Sequence, residues 1–293
     1  MEFLRFDSIK HDGGDYLDGV PEHYKEDYVV VLEKLDGTNV SVTSEYVSGR
    51  NKPIIVEKDR KDRTRGWFPF GSKLQKHELM KDYIFFGEWL VFHTVEYKEE
   101  YLQNFYLFAA VDKKTKEEVS WAKLKEFSLK LGVPTPPLIY EGLYSGIEGK
   151  IESIIGNSFM SLEENHGEGL VIWNQDRKFR TKKVGDKFSE RHRISFKEEK
   201  LQALKDSEVW ALEYGTTARI RKCMHKLIEE EIVLEENLLY CHFQSIFKSL
   251  LEFTYEDMVS ESALPRKFEE KSAKKILTKN VIKVMHEFLK KKV

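Results

Sequence analysis

Lys34 stands at the end of an apolar run, VVVLEK, and is followed by Leu35, Asp36 and Gly37 before the chain turns strand-like again at TNVSV. On a strand, Lys34 and Asp36 share one face, and Gly37 permits a tight turn or the close approach of a ligand. A lysine attacks phosphorus only as the neutral amine, a form that partial burial and nearby cations favour. The pattern KxDG is short and recurs by chance. The competing reading of the same residues is a strand-end lysine snorkelling to water beside a turn aspartate.

Other chemistry-bearing residues follow in order. Arg50 lies in YVSGRNK, and Glu88 lies inside FFGEWL, where an unpaired carboxylate is costly. Phe108 sits in FYLFAAVD, Glu168 opens EGLVIW, and KFRTKK brings Arg180 and Lys182 to i, i+2 spacing. Taken singly, these read equally well as an ion-paired Glu88, a core Phe108, a turn Glu168 and a solvated basic hairpin. The stretch Lys58 to Lys73 mixes basic, acidic and aromatic residues, as either a solvated loop or a nucleic-acid contact would. His93 is a lone histidine, GGDYLDG lacks the glycine spacing of a phosphate loop, and no Walker A, HExxH or GxSxG pattern occurs.

In this order the set resembles the covalent nucleotidyltransferases: DNA ligases, RNA ligases and mRNA capping enzymes. EKLDGTN, FFGEWL, FYLFAAVD, EGLVIW and the later KFSE are most similar to RNA ligases of the type 2 class, which seal nicks in duplex RNA. The resemblance covers about the first 190 residues. It implies an ATP-dependent RNA ligase, active in RNA repair, that uses ATP and Mg²⁺ or Mn²⁺ and joins 3′-OH to 5′-phosphate ends in nicked duplex or broken RNA. Lys34 would attack the α-phosphate of ATP, within a catalytic set of Lys34, Asp36 and Lys182. Arg50 and Glu88 would contact ribose and phosphate, Asn39 the phosphate, and Phe108 would stack on adenine. Glu168 would hold the metal, while Arg180 and Lys182 form the phosphate-binding basic pair. Two positions depart from the pattern. Type 2 enzymes can carry His where this chain has Asp36, and the basic pair usually has lysine where Arg180 stands. Lys183 competes with Lys182 for the second place, and position relative to Val184 and Phe188 favours Lys182.

The elements that must position these residues are legible in outline. Strands are expected at Tyr28 to Leu32, Val40 to Thr43, Tyr83 to Leu90, Phe105 to Val111 and Gly169 to Trp173. Helices are expected at Lys73 to Met80, at Ser120 to Leu131 with a Ser cap and a stop at Gly132, and at Ile147 to Phe159. PTPPLIYEG reads as an extended loop. After about Ser195 the apolar spacing becomes helical to the end. The expected fold is α+β. A nucleotidyltransferase domain (1–195) with ATP-grasp-like antiparallel sheets and helices precedes an all-helical domain (196–293). DNA ligases and capping enzymes usually continue into a small β-barrel, so the helical pattern favours RNA over the alternatives: a DNA ligase, a GTP-dependent capping guanylyltransferase or a non-catalytic nucleic-acid-binding relative.

Composition sets the outer bounds. With 293 residues, 41% hydrophobic and 13% aromatic, the chain can bury a sizeable core. Its formal charge of -2 supplies no global attraction for nucleic acid, so any such partner needs a local basic surface. Charge is segregated near the end: Glu198 to Glu261 holds 14 acidic and 7 basic residues, whereas Arg266 to Lys292 holds 10 basic and 3 acidic. That tail reads as a solvated helix or as a phosphate-contacting surface. Cys223 and Cys241 are far apart and form no CxxC pair, which suits reduced thiols. With neither a leader nor a membrane span in the sequence, the expectation is a cytoplasmic monomer.

Overall fold

The computed structural model describes residues 3–6, 9, 24–55, 64–91, 93–163, 166–185, 188, 205–234, 238 and 242–289. The GGDYLDG segment, the start of Lys58 to Lys73 (residues 58–63) and Cys241 lie outside the described residues. The chain divides into two compact units, Met1–Gly185 and Asp186–Val293.

The first unit is built on two four-stranded antiparallel sheets. One has the order β6-β1-β7-β8, from Leu138–Leu143, Tyr28–Lys34, Gly169–Asn174 and Phe179–Val184. The other runs β3-β2-β4-β5, from Val47–Ser48, Thr38–Val42, Tyr83–Trp89 and Phe105–Asp112. The five apolar runs expected as strands all form strands, each within two residues of its expected bounds. β1 is central in its sheet, and this explains its continuous burial from Val29 to Glu33. Alternation sends Val30 and Leu32 into a core shared with Val40, Val42, Phe85, Leu107 and Trp173, while Val29 and Val31 pack with Tyr144, Ile151, Leu170 and Ile172 on the other face. The first of these cores lies between the sheets and is closed by helices α1 (Trp67–Leu74) and α2 (Trp121–Leu131). α2 begins as its sequence dictates: Ser120 Oγ accepts the Lys123 N–H, and Gly132 ends it in the left-handed region at φ 65°.

Three expectations are corrected. The helix expected from Lys73 lies earlier, at Trp67–Leu74, and Glu78–Lys81 is a separate 3-10 turn. Ile147 to Phe159 is not one helix: between Glu148 and Ile154 it forms a 3-10 turn and a single helical turn, because Gly149 and Gly156 weaken helix propagation and only Ile147 and Ile151 are fully buried in the core, with Ile154 and Ile155 packed partly against it. PTPPLIYEG contains an edge strand, β6, paired to β1.

The second unit is helical among its described residues. It comprises α3 (Asp206–Tyr214), α4 (Thr217–Glu229), α5 (Phe243–Glu261) and α6 (Glu270–Phe288). Its own apolar core includes Trp210, Ile220, Met224, Leu250, Leu277 and Val281. Arg219 is buried at 1% exposure. It is paired with Asp257 at 2.5 Å and Glu261 at 3.3 Å, and Lys226 reaches Asp257 at 2.5 Å.

Candidate active site

Lys34 ends β1 opposite Gly169 of β7, and the residue before Gly169 is Glu168. The Lys34 Nζ donates to Glu168 Oε2 at 2.5 Å, with the carboxylate side chain 9% exposed. Position 169 must be glycine for β7 to lie against Phe179–Val184, since a Cβ there would lie 2.0 Å from the Lys183 carbonyl oxygen.

β8 carries the basic pair. Lys182 lies opposite Val171, which lies opposite Leu32, so Lys182 shares a sheet face with Lys34 and is only 5% exposed. Lys183 points to the other face, where it pairs with Glu152. Arg180 is on the Lys182 face, but its guanidinium is engaged. It makes a two-pronged contact with Glu118, donates to the Phe108 carbonyl at 3.2 Å and stacks 3.8 Å from the Trp173 ring centroid.

The second sheet contributes the facing groups. Asn39 lies opposite Glu88, and a Glu88 carboxylate oxygen accepts the Gly37 N–H at 3.2 Å. A Cβ on Gly37 would lie 2.6 Å from the Trp89 carbonyl oxygen and 3.0 Å from Glu88 Cγ, so the glycine of KLDG is a requirement of close approach. Phe108 sits at an irregularity. Phe86 pairs with Ala109 and Gly87 with Leu107, which leaves Phe108 as the extra residue of a β-bulge. Its ring meets Phe6 edge-on at 5.0 Å, and Phe6 also contacts Phe86 at 5.3 Å and lies 5.4 Å from the Arg180 guanidinium. Arg50 is half-buried in the turn after β3, where Gly49 N–H donates to the Lys52 carbonyl.

Asp36 is used differently from its neighbours. Its Oδ2 accepts the backbone N–H groups of Thr94 at 2.7 Å and Val95 at 2.9 Å, and its own N–H donates to Tyr97 Oη at 2.8 Å. His93 Nδ1 stands 3.9 Å from Asp36 Oδ1, and His93 Nε2 lies 3.3 Å from Thr38 Oγ1. Asp36 therefore latches the segment after β4 onto the end of β1. Burial holds the Tyr97 hydroxyl well above its ordinary pKa, so it remains a neutral acceptor for that N–H.

Glu33, on the outer face of β1, is 2% exposed and neither carboxylate oxygen has a hydrogen-bond partner. Burial pushes its carboxyl up to about 7; the Ser158 hydroxyl tempers the shift without reaching hydrogen-bond geometry.

The geometry thus brings together Lys34 with Glu168, Glu88 with Asn39 and Gly37, and Arg180 with Phe108. Sequence reasoning missed Phe6, Tyr97 and Glu118. Phe6 lies in LRFDS and Glu118 in KEEVS, where neither spacing nor apolar context marks a single residue. Among the described residues no cluster of three or more His, Cys, Asp or Glu could hold a metal ion. One carboxylate, Glu168, suits a cation held mainly by phosphate oxygens and water, as Mg²⁺ and Mn²⁺ are in nucleotide sites.

The structure thus has two antiparallel sheets that meet at a strand-borne lysine, with a carboxylate beside it and Lys182 buried on the same face. Residues 27–197 match the family model described as RNA ligase. That is more than half of the chain, which therefore belongs to the RNA ligase family. Among solved structures it is similar to the RNA ligase of Naegleria gruberi. A ligand-free mutant of that ligase is 18% identical with a TM-score of 0.49, over 63% of this chain and 56% of that one. A mutant with ATP and manganese is 20% identical with a TM-score of 0.45, over 57% and 52%. The form with pyrophosphate is 22% identical with a TM-score of 0.44, again over 57% and 52%. This chain thus spans little more than half the length of these proteins. No curated protein sequence matches it.

Proposed function

We propose that this protein is an ATP-dependent RNA ligase that joins 3′-OH and 5′-phosphate RNA ends in three steps. The observation that carries the reading is the Lys34–Glu168 contact of 2.5 Å, on the same sheet face as buried Lys182. In the first step the Lys34 amine attacks the α-phosphorus of ATP. A nitrogen–phosphorus bond forms, the bond from the α-phosphorus to the bridging oxygen breaks, and pyrophosphate leaves. The amine must first lose a proton, and Glu168 is the acceptor within hydrogen-bond reach. Lys182 supplies positive charge where the α-phosphate gathers negative charge. Phe108 stacks on the base, and Arg180, committed to Glu118 and the Phe108 carbonyl, holds the bulge that presents it. Glu88 and Asn39 border the sugar and phosphate, and Arg50 joins them from the β3 turn. Glu168 would also hold Mg²⁺ or Mn²⁺, which neutralises phosphate charge when bound. AMP then passes to an RNA 5′-phosphate, and a 3′-hydroxyl displaces it as the ends join. The domain boundary near residue 195, action as a monomer and nicked duplex RNA as substrate belong to the same reading. Buried, free Cys223, whose thiol burial pushes up to about 12, supports a reducing, cytoplasmic setting.

The test is incubation with α-labelled ATP or GTP and Mg²⁺, followed by denaturation. Covalent label from ATP, lost in Lys34→Ala, is expected. Label from GTP alone would indicate a capping-type activity, and no label with either nucleotide and either metal would end the covalent reading. Ligation assays on nicked RNA, nicked DNA and single-stranded RNA then assign the substrate, with sealing of nicked RNA expected.

A further inference from the structure

The last helix, α6, has two distinct long faces. Ala273, Leu277, Val281, Val284 and Met285 are buried in the core of the second unit. On the exposed side Lys271, Lys275, Lys279 and Lys283 recur at every fourth position, and none has an ion-pair partner among the described residues. This contrasts with nearby cations: Lys274 pairs with Glu252 and Glu270, and Arg221 of α4 pairs with Glu287. Four residues at 1.5 Å rise place successive lysines about 6 Å apart along the axis, so the row is roughly 18 Å long and winds slowly around the helix.

Such a row suits one kind of partner. A surface helix gains its few tenths of a kcal/mol per ion pair by placing acidic residues four positions from lysines. Here the fourth positions repeat lysine from Lys271 to Lys283, while Glu287 beyond them pairs with Arg221, so the row adds its own repulsion, which an extended polyanion lying along it would relieve. A membrane surface is disfavoured, since the apolar residues that would insert are already buried within the unit. The chain as a whole carries -2, so attraction for nucleic acid has to be local, and Arg266 to Lys292 is where positive charge gathers.

We propose that the Lys271, Lys275, Lys279 and Lys283 ridge of α6 is a phosphate-contacting surface that binds the backbone of duplex RNA. The proposal rests on the RNA-ligase reading for its choice of polyanion. It adds a site in the helical unit, beyond the residues 27–197 that match the family.

The experiment uses the full chain and a nicked RNA duplex whose nick lacks the 3′-hydroxyl, so that binding is read without sealing. Affinity is measured by fluorescence anisotropy across a salt series, without ATP. Changing all four lysines to Gln preserves helix propensity. It is expected to lower affinity about tenfold or more near physiological salt and to reduce the salt slope by about 3. A control with Lys76, Lys114, Lys130 and Lys150 changed to Gln, all exposed on the first unit, removes the same charge and should leave the slope within about 1 of the parent. Circular dichroism checks that both variants fold. Lysyl-adenylate formation should be normal in both, which separates the two readings: its absence in the parent chain overturns the ligase, not the ridge. An unchanged slope in the ridge variant overturns the ridge, and so does equal weakening in both variants, which marks general charge rather than a surface.

Discussion

Lys182 and Lys183 are adjacent, identical in chemistry and opposite in surroundings, because a strand turns successive side chains to opposite faces. Lys182 is buried on the Lys34 face, whereas Lys183 shares an ion pair with Glu152, a side chain 79% exposed to solvent. Lys182→Ala should reduce the rate of lysyl-adenylate formation by about 100-fold or more. Lys183→Ala should change it less than about threefold and cost at most about 1 kcal/mol of stability, as exposed pairs do. Single-turnover labelling and denaturant unfolding read the two quantities. Glu33 makes a different prediction, about stability. Its folded pKa, raised to about 7, exceeds that of the unfolded chain, so the folded state keeps a proton that the unfolded state releases. Stability from this group therefore falls as pH rises from the ordinary glutamate range to about 7 and is constant above, by at most about 3 kcal/mol. Glu33→Gln should remove that decline: the variant should melt higher than the parent at pH 8 and close to it at pH 4.5.

At the level of elements, the candidate site depends on how the end of β1 is held. Asp36 joins β1 to the segment after β4 through two backbone N–H groups, and hydrogen bonds to a charged acceptor contribute about 1.5–3 kcal/mol each. Asp36→Ala should free residues 93–97 to hydrogen exchange and slow adenylylation, whereas Asp36→Asn, which retains an acceptor oxygen, should recover part of both. Equal protection of residues 93–97 in parent and Asp36→Ala would show that the latch is not what orders them. Much of this frame was legible in the sequence, because β1, β4, β5 and β7 are apolar runs bounded by turn residues. The misplacements have physical causes. β6 is an edge strand with half-exposed residues and a proline-rich approach, so it lacks the alternation that marks a strand. WFPFG lies in the stretch that reads as a solvated loop or a nucleic-acid contact, yet Pro69 falls in the first turn of α1, where it costs no helical hydrogen bond. Gly71 lets that helix pack close, since a Cβ would lie 2.8 Å from Val47 Cγ1. Among the candidate residues, those on regular strands could be assigned to an element from the sequence. Phe6 and the Asp36 latch were not, because their partners come from distant irregular segments that spacing cannot connect.

At the scale of the whole molecule, each unit has an apolar core of its own. The sheets that carry Lys34, Glu168 and Lys182 have a core from the first unit, and the lysine ridge stands on a helix whose apolar face is buried in the core of the second. Each core should therefore be open to perturbation by itself. Arg219 is the point at which to apply it, since its guanidinium is buried between Asp257 and Glu261. Removing one partner of a buried ion pair costs about 3–5 kcal/mol, because the remaining charge stays desolvated. Arg219→Ala takes from Asp257 and Glu261 the guanidinium that pairs with both, so the helical unit should melt about 10 °C lower or more. Calorimetry of the full chain should show that shift in one transition while the other stays within a few degrees. Lysyl-adenylate formation from free ATP should persist above the lowered transition, since every residue assigned to it lies in the first unit. Sealing of nicked RNA should fail at the same temperature, because the phosphate-contacting ridge unfolds with the unit that carries it. If adenylylation were lost together with sealing, the two units would be coupled in the first chemical step, and the division of labour by core would be wrong.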